Sequence, residues 1–246
     1  MEEQMKTFDH ILLLGRPASG KSEIIDALKK LSDSSRSEMF HLGKFEEVDD
    51  FVWIWEKFIE DDLWEETGFD RLYSHREGNN YGLNEDKGQL FDFMLVKMSR
   101  EVEDRYLSNP SFYDHGTLFL EFSRGGDFGY THSLPLLSDE ILRRAAILYV
   151  EVSFEESVRR NNARYEEKKK HSVLAHKATD RVVNAFYRTN DWSDITGGHD
   201  EGRIEVRGIE IPFVNVKNEP EIKDPALLAN RYQPRLRKLF EMYSSK

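Results

Sequence analysis

The chain has 246 residues, a formal net charge of −11 at pH 7 and no cysteine. This length suits a single α/β domain. The acidic balance argues against a general nucleic-acid binder, whose affinity depends on neutralising phosphates, and the lack of cysteine excludes disulfides and thiol catalysis. Residues 1–6 are acidic and polar, unlike a signal peptide, and no apolar run reaches the ~20 residues of a membrane span. We therefore expect a cytoplasmic protein that binds neither membranes nor nucleic acids.

The first predicted elements are a buried strand at residues 10–14, a loop, and a helix over residues 21–31. The loop matches the phosphate-binding motif G-x-x-x-x-G-K-[ST], in which backbone N–H groups and a helix N-terminus bind phosphate oxygens. In that motif the lysine reaches the β- and γ-phosphates and the final hydroxyl ligates Mg²⁺. The alternative is a glycine-rich turn with a surface lysine. The predicted site for ATP and Mg²⁺ consists of Gly15, Arg16, Pro17, Ala18, Ser19, Gly20, Lys21 and Ser22.

Residues 39–42 are predicted to form a short second strand, and an acidic, aromatic helix is expected over residues 46–62. Asp49 lies near the start of that helix, where acids are favourable, and is also a candidate substrate-binding residue. Core packing explains the aromatic residues of this helix more simply than a ligand does. The residues at helical spacing are Phe51, Ile54, Trp55 and Phe58.

Residues 71–81 are rich in cationic and hydrogen-bonding side chains and poor in aliphatic ones. They form either a surface loop or an acceptor-binding loop. In the second case Arg71 and Arg76 would face an anion, and Tyr73 or Tyr81 would stack on a ring. A long amphipathic helix is predicted next, over residues 88–107.

A buried strand at residues 117–122 carries Glu121 near its carboxyl end, followed by a glycine-rich loop that contains Arg124. Open α/β sheets bind ligands beyond the carboxyl ends of their strands. Glu121 is therefore a candidate either to hold Mg²⁺ through water or to accept a hydroxyl proton; the alternative is an exposed glutamate on a half-buried strand. The triplet at residues 127–129 reads Asp-Phe-Gly, but the other protein-kinase signatures are absent.

Another buried strand is predicted at residues 146–152, and Ser153 with Glu156 makes a capping box for the helix that follows. Arg160 and Arg164 share a face of this helix. They are either solvated, or they belong to a lid that closes over the transferring phosphoryl group. The remaining predictions are a helix at 173–187, strands at 203–206 and 208–214, and a closing helix after Asp224-Pro225 that Pro234 should break or kink.

The loop, the strand ending at Glu121, the arginine-bearing helix and the late strand before Asn218 occur in an order that resembles the P-loop nucleoside and nucleotide kinases. This group includes adenylate, thymidylate and deoxynucleoside kinases. The resemblance implies a three-layer α/β/α fold around a mainly parallel five-stranded sheet, in one domain over residues 1–246. Residues 46–110 would then be a helical acceptor-side insert and residues 153–190 a lid-like helical region.

The resemblance also implies roles for individual residues. Arg160 and Arg164 look like lid arginines, and the segment Asn218, Glu219 and Pro220 looks like the region that passes the adenine ring. Glu121 with Arg124 is loosely similar to the acid–arginine pair of deoxynucleoside kinases, in which the acid is the base, although two residues intervene here. The candidate catalytic residues are thus Lys21, Glu121, Arg160 and Arg164, the metal ligands Ser22 and Glu121, and the substrate-binding residues Asp49, Arg71, Tyr73, Arg76 and Arg124.

The leading functional hypothesis is an ATP- and Mg²⁺-dependent phosphotransferase for a nucleoside, nucleotide or related metabolite. A hydroxyl acceptor would need a base, for which Glu121 is the candidate, whereas a phosphate acceptor would need arginines. The alternative is a regulatory P-loop ATPase or nucleotide switch without an acceptor. A GTPase is disfavoured, because its N-K-x-D and D-x-x-G motifs are absent in the required order. A homodimer is left open.

Overall fold

The computed structural model describes residues 6–78, 80–169 and 179–245. Short 3₁₀ turns and one π-helical turn connect some of the regular elements. In chain order, the strands and helices are β1 (His10–Gly15), α1 (Lys21–Lys29), α2 (Asp33–Phe40), β2 (Lys44–Asp49), α3 (Asp50–Glu66), β3 (Ser74–Glu77), β4 (Asn80–Leu83), α4 (Gln89–Val102), β5 (Gly116–Phe122), α5 (Tyr130–Ser133), α6 (Asp139–Arg144), β6 (Ala145–Glu151), α7 (Phe154–Lys169), α8 (Asp180–Tyr187), α9 (Trp192–Ile195), β7 (Glu201–Val206), β8 (Ile209–Lys217) and α10 (Pro225–Ser244).

The main sheet has the strand order β2-β5-β1-β6-β8-β7, and all its pairs are parallel except β7 with β8. Because side chains alternate along a strand, Leu12 and Leu14 of β1 pack into one core, whereas Ile11 and Leu13 pack into the other. Helices α4 and α6 contribute to the first core, and α1 and α10 to the second. The predicted three-layer α/β/α fold is confirmed.

The sheet has six strands rather than the five expected, and its second strand lies later in the chain than predicted. Residues 39 and 40 belong to α2, which begins after Ser32, whose side chain accepts a hydrogen bond from the Ser35 N–H. Strand β2 therefore starts only at Lys44 and ends at Asp49, next to β5. The predicted helix over 46–62 correspondingly begins at Asp50.

The stretch predicted as a loop at 71–81 contains most of an antiparallel hairpin formed by β3 and β4. The fully buried Asp61 of α3 holds the start of this hairpin, because its carboxylate accepts hydrogen bonds from the N–H groups of Leu72, Tyr73 and Ser74. A third core joins α3, β4, α4 and α8. This core builds the wall that faces the phosphate-binding loop.

Two of the later helices differ from their predicted bounds, and the closing helix lacks the expected break. The helix expected over 88–107 is α4, followed by one π-helical turn at Glu103–Leu107. Of the helix expected at 173–187, α8 covers the last part, and residues 170–178 lie outside the described residues. Helix α10 runs unbroken through Pro234, because Pro234 and Asn230 are exposed, so water can bind the carbonyl that loses its partner. Among the described helices, none has the length and apolar character needed to span a membrane.

Candidate functional site

The phosphate-binding loop joins β1 to α1 at the carboxyl edge of the sheet, and two of its glycines are required by close backbone approaches. Gly15 has φ +146°, and a Cβ there would lie 2.5 Å from the Val150 carbonyl oxygen. Gly20 has φ +107°, and its Cβ would lie 2.3 Å from Nδ2 of Asn218. A larger residue would therefore clash with the main chain of β6 at Gly15 and with the Asn218 side chain at Gly20, and both φ values favour glycine.

The interior of the loop fits a phosphate group. The Lys21 side chain is only 5% exposed and folds back over the loop, with Nζ donating to Ser123 Oγ over 2.8 Å and to the Arg16 carbonyl over 3.1 Å. Burial lowers the pKa of Lys21 from its ordinary value, although Glu121, whose Oε1 lies 3.8 Å from Nζ, opposes this shift. The Ser19 hydroxyl is buried without a hydrogen-bond partner in the described structure. A buried ammonium and an unsatisfied hydroxyl are suitable donors to phosphate oxygens.

Arg160 is not the lid residue that the spacing predicted. Its guanidinium is 1% exposed and lies behind the loop, where it donates to the carbonyls of Ser19 over 3.3 Å and of Asn218 over 2.6 Å. Glu156, one helical turn earlier, accepts a hydrogen bond from Nε over 2.6 Å. The helix packs with this arginine inward against the end of β8, so Arg160 supports the loop and does not face the cavity described below.

Arg164, unlike Arg160, lies at the cavity, and its contact with phosphates stays a prediction. It lines the cavity, is partly exposed and forms an ion pair with Glu23 of α1. The segment 218–220 lies behind the loop: the Asn218 side chain donates to the Ser19 carbonyl over 2.8 Å, and Glu219 accepts from the Ser153 N–H. None of its three residues is among the described residues that line the cavity, and its contact with adenine stays a prediction.

Two carboxylates lie side by side at the carboxyl ends of two adjacent strands. Asp49 and Glu121 are register partners on β2 and β5. Burial raises the pKa of Glu121 to about 7, a shift that the Lys21 ammonium opposes and that Asp49 and Asp50 reinforce. Burial and the charge of Asp50 raise the pKa of Asp49 to about 6. Carboxyl groups with such pKa values exchange protons near neutral pH, as a general base must.

Arg124 does not bind a substrate in the way that the sequence suggested. It is 2% exposed, and its guanidinium donates to the Asp50 carboxylate over 2.6 Å and to the Phe91 carbonyl over 3.1 Å. Burial raises the pKa of Asp50, and Arg124 opposes that shift. The arginine therefore balances a buried acid at the start of α3, and it is not among the described residues that line the cavity described below.

A cavity of about 240 Å³ separates the loop from the wall built by α3, β4, α4 and α8. Pro17 and Ala18 of the loop contribute to its rim. Its polar end is formed by Lys21, Ser22, Asp49, Asp50, Glu121 and Arg164. The rings of its wall belong to Phe51, Trp55, Phe58, Tyr81, Phe91 and Tyr187.

Three predicted substrate-binding residues lie elsewhere. Arg71 and Arg76 both form ion pairs with Asp62 of α3, at 2.5 and 2.9 Å, and also with Glu65. Tyr73, like them, is not among the described residues that line the cavity. These contacts are possible because α3 carries acids on the side that the hairpin covers, and a sequence pattern does not show which side that is.

The wall residues of α3 were predicted to be core residues, and this interpretation was incomplete. Phe58 and Ile54 belong to the third core, but they also line the cavity together with Trp55 and Phe51. Asp50 and the rings of α4 and α8 were not identified as site residues at all. The available signal was an aromatic helix that begins directly after an acid at a strand end, which is where open sheets bind ligands.

The site suits a magnesium ion that arrives with the phosphates of a nucleotide. In residues 6–78, 80–169 and 179–245, no group of three or more His, Asp or Glu side chains could hold a metal ion by itself. Ser22 is exposed to the cavity near Asp49 and Glu121. One hydroxyl, one or two carboxylates and substrate phosphates make the set of oxygen ligands that Mg²⁺ prefers.

Comparisons with known proteins give distant likenesses. No protein-family model and no curated protein sequence matches the chain. Among solved structures, it is similar to a sugar kinase from Janibacter sp. HTCC2649 (12% identity over 94% of this chain and 95% of that one, TM-score 0.41). It is also similar to shikimate kinase from Acinetobacter baumannii in complex with shikimate (15%, 78% of each chain, TM-score 0.36) and to the PezAT toxin–antitoxin system of Streptococcus pneumoniae (12%, 99% and 87%, TM-score 0.40).

These likenesses are too remote to transfer an activity or a substrate to this chain. Its own sheet order, the helices on both faces and the glycine-dependent loop between β1 and α1 are the observations that define its architecture. The chain has a three-layer α/β/α fold in which a loop with the G-x-x-x-x-G-K-[ST] pattern joins the first strand to the first helix.

Proposed function

We propose that this protein transfers the γ-phosphoryl group of ATP to a hydroxyl group of a small molecule. The observation that carries the proposal is the position of Asp49 and Glu121, which line one cavity with Lys21 and Ser22 of the phosphate-binding loop. A cavity that holds both a phosphate-binding loop and acids with pKa values near neutrality has the parts needed for transfer to a hydroxyl.

In this proposal the loop and its neighbours bind and orient ATP. The backbone N–H groups of the loop and the Lys21 ammonium hold the phosphates, and Arg164 lies where it can stabilise the charge of the transferring group. Ser22, with a carboxylate, would hold Mg²⁺, which neutralises phosphate charge when it is bound. Arg160 and Asn218 keep the loop in its binding conformation through the Ser19 carbonyl.

Asp49 is the candidate base. Glu121 lies 3.8 Å from the Lys21 ammonium, whereas Asp49 adjoins the ring-lined wall through Asp50 and Phe51. The acceptor O–H bond breaks and its proton passes to Asp49, while a bond forms between that oxygen and the γ-phosphorus. The bond from the γ-phosphorus to the bridging oxygen breaks, and its electron pair leaves with ADP. One ATP and one alcohol thus give ADP, a phosphate monoester and a proton.

The test is ADP release by the purified protein with Mg²⁺-ATP and a panel of hydroxyl compounds, together with binding of ATP measured by thermal shift. We expect ADP release that depends on the acceptor, and its loss in Asp49→Asn. A matched control is Glu47→Gln, since Glu47 lies on the same strand but pairs with Lys29 outside the cavity. ATP hydrolysis at the same rate with and without every acceptor would instead favour the regulatory ATPase.

A further inference from the structure

The wall of the cavity opposite the phosphate-binding loop is a nearly continuous surface of rings. Trp55 lies at its centre, with ring centroids 6.2 Å from Phe51, 6.0 Å from Phe58 and 5.2 Å from Tyr81. Phe91 and Tyr187 extend the surface from α4 and α8, 6.2 Å apart. Such a surface binds a flat apolar group through area burial and ring stacking.

Phe51 is the exposed ring of this surface. Its side chain is 42% exposed although it follows the buried Asp50 directly and lines the cavity. A large exposed aromatic residue inside a concave, ring-lined site gains free energy when a ligand covers it. Trp64 and Phe69 are also exposed, but they pack on each other at the far end of α3, outside the cavity.

The arginines near this wall contact its rings but do not line the cavity. The guanidinium groups of Arg71 and Arg76 lie 5.3 and 5.6 Å from the Tyr81 ring centroid, and that of Arg124 lies 4.9 Å from the Phe91 centroid. Arg71 and Arg76 are paired with Asp62 and Glu65, and Arg124 is paired with Asp50. Among the described residues that line the cavity, the lysines and arginines are Lys21 and Arg164, both at the phosphate-binding end.

The carboxylates add a second barrier to an anionic acceptor. Asp49, Asp50 and Glu121 all line the cavity. A phosphate or carboxylate on the acceptor body would therefore lose its hydration and approach like charges. The arginines nearest to it are already paired with acids and do not line the cavity. A neutral body avoids these costs, since rings and aliphatic side chains make up most of the surface it would contact.

We infer that the acceptor is a hydroxyl compound with a flat, apolar or aromatic body and no phosphate or carboxylate group. This inference rests on the proposed function and specifies the substrate class of the same site. Trp55 is its main specificity-determining residue, because it touches three other rings of the wall.

The experiment compares matched acceptors that differ in charge or in the ring. One pair is 3-phenyllactate and its methyl ester, which share the same hydroxyl group and ring. A second comparison sets nucleosides against their 3′-monophosphates, which keep the 5′-hydroxyl, and glucose represents neutral acceptors without an aromatic ring. We expect kcat/KM for the neutral aromatic member to exceed that of its anionic partner by about 100-fold, as an unpaired charge worth ~3 kcal/mol implies.

A variant pair tests the wall directly. Trp55→Ala should raise the KM for the aromatic acceptor about 10- to 100-fold, as expected for loss of a ring contact, and leave the KM for ATP unchanged. Trp64→Ala, on the same helix but outside the cavity, should change neither constant. Equal effects of Trp55→Ala on both KM values would overturn the role given to this residue.

The outcomes separate the inference from the function on which it rests. Higher kcat/KM for anionic or non-aromatic acceptors would overturn the inference and leave the phosphotransferase intact. ATP binding without ADP release for any neutral aromatic acceptor would also overturn it. Absence of both ATP binding and acceptor-dependent ADP release would overturn the proposed function as well.

Discussion

The guanidinium of Arg160 donates a hydrogen bond of 2.6 Å to the main-chain carbonyl of Asn218, and both side chains bind the carbonyl of Ser19. Helix α7 and the end of β8 are thereby joined behind the phosphate-binding loop. Because a Cβ at Gly20 would clash with the Asn218 carboxamide, this arrangement restricts the path of the loop from its rear side. Loop conformation and the packing of α7 are consequently coupled.

The two arginines of α7 should respond differently to substitution. Arg160→Ala leaves buried carbonyls without a donor, so we expect a loss of about 2–4 kcal/mol in the free energy of unfolding. Arg164→Ala removes a partly exposed ion pair, and should cost under ~1 kcal/mol of stability but lower kcat by about 10³-fold, as loss of an arginine at transferring phosphate does.

Urea denaturation and steady-state kinetics on both variants check this contrast. Arg159→Ala is the matched control, because Arg159 is an exposed neighbour whose ion pairs are with Glu156 and Glu221. A stable Arg160→Ala protein that has lost only turnover would restore Arg160 to the lid role.

Activity should increase with pH through the ionisation of Asp49. Burial and the neighbouring Asp50 charge place the pKa of Asp49 at about 6, and a base works only when it is deprotonated. We therefore expect kcat/KM to rise with pH around 6 and to level off above the range where Glu121, with a pKa of about 7, also ionises. A pH profile of kcat/KM measures this, and a profile that falls over the same range would contradict the assignment of a base.

Asp49→Asn should stabilise the protein at neutral pH while it abolishes turnover. The folded-state pKa of Asp49, about 6, exceeds its ordinary value of 3.8. Protonated Asp49 therefore contributes its full stability to the folded state below pH 3.8, and this contribution is lost as the pH rises through about 6. Asparagine keeps the cap on the Phe51 N–H and does not titrate.

The expected gain for Asp49→Asn at about pH 8 is on the order of 1–2 kcal/mol after allowance for partial exposure, and it should vanish below about pH 4. Denaturant titrations at the two pH values measure it. A variant that is less stable than the parent at high pH would show that burial does not destabilise the ionised form of Asp49.

Local patterns were sufficient to predict the loop and the strand that carries Glu121, because each is encoded in one continuous stretch. The distinction between Arg160 and Arg164 was not predictable, since helical spacing places both on one face and only the contact of α7 with Asn218 decides which one is buried. The second strand was misplaced for a related reason, as the side-chain cap of Ser32 on Ser35 extends α2 over the residues expected to be extended.

The acceptor half of the cavity depends on contacts between distant segments. Arg71 and Arg76 have the composition of an anion site, but Asp62, on another element, binds both. Phe51 and Trp55 have the spacing of core residues, and only the position of the hairpin shows that they face an open cavity. Neither the charge balance nor the exposure of the rings in this half of the cavity could therefore be predicted without the tertiary structure.

Asp61 should control the position of the hairpin, and hence acceptor binding. Its buried carboxylate accepts bonds of 2.7–3.0 Å from the N–H groups of residues 72–74 and from the Ser74 hydroxyl. We expect Asp61→Ala to cost about 3–5 kcal/mol of stability, because it leaves several buried donors unpaired. The KM for the acceptor should rise, since β4 carries Tyr81 and Leu83 of the wall, and the KM for ATP should not.

Chemical denaturation and the two KM values measure the effect of Asp61→Ala. Asp70→Ala, at an exposed position between α3 and the hairpin, is the control and should behave like the parent. An unchanged KM for the acceptor despite lost stability would show that the hairpin does not position the wall.

Lys21→Met should abolish turnover and lower ATP affinity, because the ammonium is the cation that the motif directs at the β- and γ-phosphates. Lys21 also affects stability, because it is the buried first residue of α1 and its Nζ lies 3.8 Å from the Glu121 carboxylate. Without it, the pKa of Glu121 should rise further above about 7. The variant should therefore lose stability relative to the parent as pH rises through that value, and not at about pH 5, where Glu121 is protonated.

Calorimetric titration with ATP and denaturation at both pH values test this, with Lys29→Met on the exposed end of the same helix as the control. Unchanged ATP affinity in Lys21→Met would refute the phosphate-binding loop itself.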